Sequence, residues 1–100
     1  MKLTDKALEA FGEFLYDKYG YSIFEFEYYE TLKNALIIEW FDSVGIYVSI
    51  HYETFGNYYF NTLITNKRIT MNLRANSITR TEAINEAIVK ANEIFNTFVK

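Results

Sequence analysis

The sequence predicts a two-layer α+β sandwich, in the order α-β-β-β-β-β-α, in which two helices cover one face of an antiparallel meander sheet. Three observations predict this fold. Apolar residues recur at helical spacing near the two ends of the chain, five segments between them alternate apolar and polar residues, and turn-forming residues separate those segments. Half of the 100 residues are hydrophobic, so a core can be buried, and we expect a single domain over residues 1–100.

The first helix is predicted over residues 5–19. Thr4 favours the N-cap position, and Leu3 and Leu8 have the spacing of a hydrophobic staple. Gly20 follows the last helical residue, where a left-handed conformation commonly ends a helix. The face predicted to be buried consists of Ala7, Leu8, Phe11, Phe14 and Leu15.

Five strands are predicted because each segment alternates at period two, which is typical of a sheet covered on one side. The segments 42–45 and 53–56 share a pattern of acid, hydroxyl, apolar residue and glycine, and each is predicted to form a three-residue hairpin loop. This register pairs Glu53 with Asn57, and a two-residue turn at 66–67 pairs Ile64 with Ile69. The predicted strands comprise residues 22–29, 35–41, 46–53, 58–65 and 68–75.

The last helix is predicted over residues 80–99, because Thr79 and Glu82 have the spacing of a capping box. A stripe of small residues runs along this helix and would let a second backbone approach closely. Gly12 and Ala7 of the first helix are the expected other side of that contact. The stripe consists of Ala83, Ala87 and Ala91.

The outer face of the predicted sheet combines apolar and acidic residues, which indicates a contact surface. An exposed apolar patch of several hundred Å² on a soluble protein usually marks an interaction site. Glu25 and Glu39 are predicted to be direct cross-strand neighbours, and like charges at that spacing destabilise a sheet. The candidate residues on this face are Glu25, Glu27, Glu39, Phe41, Tyr47, Tyr59 and Leu63.

A row of acidic residues on the first helix is the second candidate contact surface. Asp5, Glu9, Glu13 and Asp17 follow one another at i, i+4 steps, and each like-charge pair of this kind destabilises a helix by about 0.2–0.5 kcal/mol. The row is either a solvated acidic face that favours solubility or a surface that meets a basic partner.

Catalytic and metal-binding patterns are missing from the sequence. There is no cysteine, the one histidine is His51, and the four glycines lie too far apart for a phosphate-binding loop. No serine nucleophile motif is present either. We therefore expect no enzymatic activity, no metal and no cofactor.

The charge distribution favours a protein partner over nucleic acid. Residues 1–60 hold four lysines and ten acidic residues, a net charge of −6, and residues 61–100 have a net charge of +3. An acidic first part would repel phosphates. We expect a small binding protein of a phage or mobile element that blocks a basic, nucleic-acid-binding site on a host protein, without binding nucleic acid itself.

Two other functions remain open. One is a homodimer, with a structural or assembly role, in which Phe41, Tyr47 and Leu63 pack across a two-fold axis. The other is binding of a small ligand between helices and sheet. The residues after Met1 form no apolar signal segment, and the longest aliphatic run is 35–38, so we expect a cytoplasmic protein without a membrane span.

Overall fold

Both terminal helices and three of the predicted strands form, and a third helix takes the place of a predicted strand. The computed structural model describes residues 2–23, 29–53, 59–65, 70–75 and 79–98, and for 51–53, 59–63 and 70–75 it describes the backbone. The elements, in chain order, are α1 (Asp5–Tyr19), α2 (Glu30–Ser43), β1 (Tyr47–Glu53), β2 (Tyr59–Thr65), β3 (Thr70–Ala75) and α3 (Arg80–Phe98).

The predicted five-stranded sandwich is therefore wrong. The described residues form a three-stranded antiparallel sheet in the order β1-β2-β3 together with three helices. The strand predicted over 35–41 lies within α2. Of the strand predicted over 22–29, Ser22, Ile23 and Tyr29 are not in a strand, and 24–28 lie outside the described residues.

The apolar run in α2 satisfies two periodicities at once, which explains the wrong prediction. Leu36, Ile38 and Trp40 alternate as in a strand. Asn34, Ile37 and Phe41 are spaced i, i+3 and i+7, and all three are buried on one face of the helix. A short apolar run does not separate the two possibilities by pattern alone.

Gly45 has the left-handed conformation that the sequence predicts, with φ of 82°. It does not close a hairpin, however, but ends α2. The Ile46 N–H donates to the Phe41 carbonyl at 2.9 Å, a hydrogen bond typical of a helix that terminates in a left-handed glycine. Helix ends and hairpin loops both require glycine at positive φ, so the glycine pattern fits either structure.

The sheet keeps the predicted faces although its register is shifted. Glu53 pairs with Tyr59 rather than Asn57, and Ile64 pairs with Met71 rather than Ile69. Each pairing differs from the prediction by two residues. Because side chains alternate with period two, such a shift moves no residue to the other face. Accordingly, Ile64 is buried, Val48 and Ile50 are half-buried against the helices, and Tyr47 is exposed.

The helices form two layers on one side of the sheet, with α2 and α3 next to the strands and α1 packed on those two helices. Within the described residues, α2 and α3 contact the strands, and α1 packs on α2 and α3 without close backbone contact to β1, β2 or β3. The prediction that both terminal helices cover the sheet is thus wrong for α1. Trp40 of α2 packs between the two helix layers: its ring centroid lies 5.9 Å from that of Phe11 in α1 and 4.9 Å from that of Phe95 in α3.

Helix α1 is capped by α3 rather than by its own Thr4, whose side chain makes no capping bond within α1. The Thr4 N–H donates to Asn92 Oδ1 at 2.9 Å, and the Ala7 N–H donates to Asn96 Oδ1 at 2.9 Å. Asn92 Nδ2 in turn donates to Thr4 Oγ1 at 3.0 Å. These bonds satisfy helix-start donors that a local cap would otherwise take. The next residue, Asp5, has φ of 53°.

Helix α3 begins as predicted, since the Glu82 N–H donates to Thr79 Oγ1 at 3.2 Å. Ala7, Ala87 and Ala91 are fully buried in the common core. Gly12 does not take part in a close contact between described helices, because a Cβ built there would meet no atom of the described residues within 4 Å.

Candidate protein-binding surface

The acidic residues of α1 form an exposed row on the side opposite the core. Asp5, Glu9, Glu13 and Asp17 are all exposed, whereas Ala7, Phe11 and Leu15 are buried. At about 100° per residue, the centre of the acidic row lies about 180° around the helix axis from the centre of the buried face. We call this row, together with Tyr16, the acidic face of α1.

No cation forms an ion pair with this row within the described part of the chain. The three ion pairs found there join Lys2 to Glu30, Lys18 to Glu39 and Lys90 to Glu93. Lys18 is next to Asp17 in sequence, yet its ammonium is held by Glu39 in α2. Successive carboxylates of the row are four residues apart, which corresponds to about 6 Å along the helix axis.

Tyr16 is an exposed aromatic residue at the C-terminal end of the same face, and sequence reasoning missed it. Its side chain is 72% exposed. It follows Glu13 by three residues, so the two share a helix face. The signal was present in the sequence, since position 16 lies opposite the apolar spacing of Phe11 and Leu15. Carboxylates beside an exposed ring are suited to bind guanidinium groups, which form charge-assisted hydrogen bonds and stack on aromatic faces.

Glu39 belongs to a different cluster, which joins the ends of α1 and α2. Its carboxylate accepts from Lys18 Nζ at 2.6 Å and from the Tyr19 hydroxyl at 2.7 Å. The hydrogen bond from Lys18, followed by that from Tyr19, lowers the pKa of Glu39. The same contact with Glu39 raises the pKa of Lys18 and of Tyr19. Glu39 therefore links α2 to the end of α1, and its predicted place on the sheet beside Glu25 is wrong.

The outer sheet face retains only part of the predicted patch. Phe41 is 0% exposed and lies in the core, its ring centroid 4.8 Å from that of Trp40. Tyr47 is 55% exposed on the side opposite the helices. Tyr59 and Leu63 lie in β2, where Tyr59 pairs with Glu53 and Leu63 with Ser49. Glu25 and Glu27 lie outside the described residues.

An open apolar groove lies between the first halves of α2 and α3. Its volume is about 210 Å³, below the roughly 300 Å³ at which ligand pockets usually begin. Asn34 lines it and is already hydrogen-bonded: it accepts from Lys2 Nζ at 3.2 Å and donates to Asn85 Oδ1 at 3.1 Å. The lining residues are Thr31, Asn34, Ala35, Ile38, Thr81 and Ile84.

The described residues offer no metal site and no membrane span. No three His, Cys, Asp or Glu residues among them lie close enough to hold a metal ion. None of the described helices has both the length and the apolarity needed to cross a bilayer. Comparison with protein-family models, with curated proteins and with solved structures finds no match to this chain. Its function must therefore be argued from its own surface.

Proposed function

We propose that this chain is a non-enzymatic protein that binds a basic surface of another protein through the acidic face of α1. The observation that supports the proposal is the row of exposed carboxylates, unpaired within the described residues and accompanied by exposed Tyr16. The protein we propose as the target presents arginine or lysine side chains at this spacing.

The acidic face carries an energetic penalty, and no ion pair within the described residues offsets it. Its three like-charge pairs at i, i+4 together destabilise α1 by about 0.6–1.5 kcal/mol. Helix α3 shows the contrasting arrangement, because Lys90 and Glu93 form an ion pair at 3.2 Å on its surface. A local rule broken without compensation in the folded chain is expected at functional surfaces.

The charge spacing supports a nucleic-acid-binding site as the target. The carboxylates extend over about 18 Å of one helix face. A linear series of negative charges is what a site built for a phosphate backbone attracts. The abundance of Asn, Ile, Tyr, Phe and Lys is typical of AT-rich coding sequence, and we propose a phage or mobile element of a low-GC bacterium as the setting.

Charge reversal with a matched control tests the proposal. The variant is Glu9→Lys with Glu13→Lys, and the control is Asp42→Lys with Glu86→Lys, which changes the net charge equally at exposed positions of α2 and α3. Each protein, immobilised, is exposed to lysate of a low-GC bacterium, and captured proteins are purified and titrated separately. We expect a partner that binds the parent and the control but not the double variant of α1.

Two further measurements strengthen the test. Tyr16→Ala is expected to lower the affinity for the purified partner by about tenfold or more, because tyrosine is enriched among interface residues that contribute about 2 kcal/mol to binding. Raising the salt from about 0.1 M to 1 M should weaken it too, since the Debye length falls from about 10 Å to 3 Å. A partner that binds the α1 double variant as tightly as the parent would refute the acidic face as its contact.

A homodimer through the outer sheet face is a second candidate, and exposed Tyr47 is the observation that favours it. The loss of Phe41 to the core leaves this face with less apolar area than predicted. Light scattering after size-exclusion chromatography, at low and high salt, decides the matter. A salt-resistant dimer that Tyr47→Lys converts to monomer would support this candidate, and a monomer under both conditions would exclude it.

A further inference from the structure

We draw no further inference here: the strongest candidate, the open apolar groove between α2 and α3, carries none because nothing in the structure shows what covers it.

Discussion

Replacing Asn92 by alanine should strongly destabilise the protein, because this side chain holds the start of α1 against α3. Asn92 is 6% exposed. Its Oδ1 accepts from the Thr4 N–H at 2.9 Å, and its Nδ2 donates to Thr4 Oγ1 at 3.0 Å. Alanine removes both bonds, together with the one that Asn96 Nδ2 donates to Asn92 Oδ1 at 3.4 Å, and leaves a part-buried backbone donor without its acceptor. Sequence-local capping does not replace it, since Thr4 makes no side-chain cap within α1.

The expected loss of stability follows from the two hydrogen bonds between Asn92 and Thr4. A net hydrogen bond contributes about 0.5–1.5 kcal/mol, and an unsatisfied buried donor costs about 1–3 kcal/mol. We therefore expect Asn92→Ala to lower the free energy of unfolding by about 2–4 kcal/mol. For a domain of this size, whose total stability is about 5–15 kcal/mol, that is a large fraction. The melting temperature should fall by at least about 10 °C.

Urea unfolding followed by Trp40 fluorescence is the assay, because the single tryptophan packs against rings of both α1 and α3. Glu93→Ala is the matched control: it is the next residue of α3 and loses only a surface ion pair with Lys90, worth about 0–1 kcal/mol. If Asn92→Ala and Glu93→Ala unfold at the same urea concentration, the side chain of Asn92 does not hold α1 as described.

Three further predictions concern single substitutions measured in the same way. Gly12→Ala should raise the free energy of unfolding by about 0.5–1 kcal/mol, because the glycine is inside a helix and the added methyl group would meet no described atom within 4 Å. A loss of stability would mean that another part of the chain packs on this position. Glu13→Lys should stabilise α1 by about 1 kcal/mol, since it turns repulsive pairs with Glu9 and Asp17 into attractive ones. The same substitution should weaken binding of the proposed partner. A variant that is less stable than the wild type and unable to bind would contradict the argument from charge repulsion. Glu39→Gln should flatten the stability profile on the acid side of the usual glutamate pKa of 4.5. The hydrogen bond from Lys18 lowers the pKa of Glu39 below its usual 4.5. The stability that ionised Glu39 contributes is therefore fully present above pH 4.5 and is lost as the pH falls through the folded pKa. Identical stability profiles for Glu39→Gln and the wild type would contradict this prediction.

Local signals were sufficient at the C-terminus of α1 and at the N-terminus of α3. Gly20 terminates α1 with φ of 71°, and Thr79 caps α3, both as predicted. The three strands of the sheet were also predicted, from the alternation of apolar and polar residues along each segment. Their faces survived a register error of two residues, since parity alone decides which side a strand residue occupies.

Helix α2 depended on contacts that no local window contains. Asn34, which the predicted fold places between two strands, is 4% exposed in the structure. Its partners Lys2 and Asn85 lie 32 and 51 residues away in the chain. A buried amide is tolerated only when such partners are present. The sequence of residues 34–41 alone therefore does not predict that Asn34 is buried, nor that residues 34, 37 and 41 form one buried helix face.

The sequence likewise predicted one part of the candidate surface and misplaced another. The acidic row of α1 was predictable, because the i, i+4 spacing of its carboxylates and the apolar spacing of Ala7, Phe11 and Leu15 determine opposite sides of one helix. Phe41 and Glu39 were misplaced, because their surroundings depend on whether 35–41 is a strand or a helix. The sequence by itself therefore determined which helix face meets solvent. Only the tertiary structure decided that Glu39 holds Lys18, that Phe41 lies in the core and that α3 caps α1, because each depends on groups brought together from distant parts of the chain.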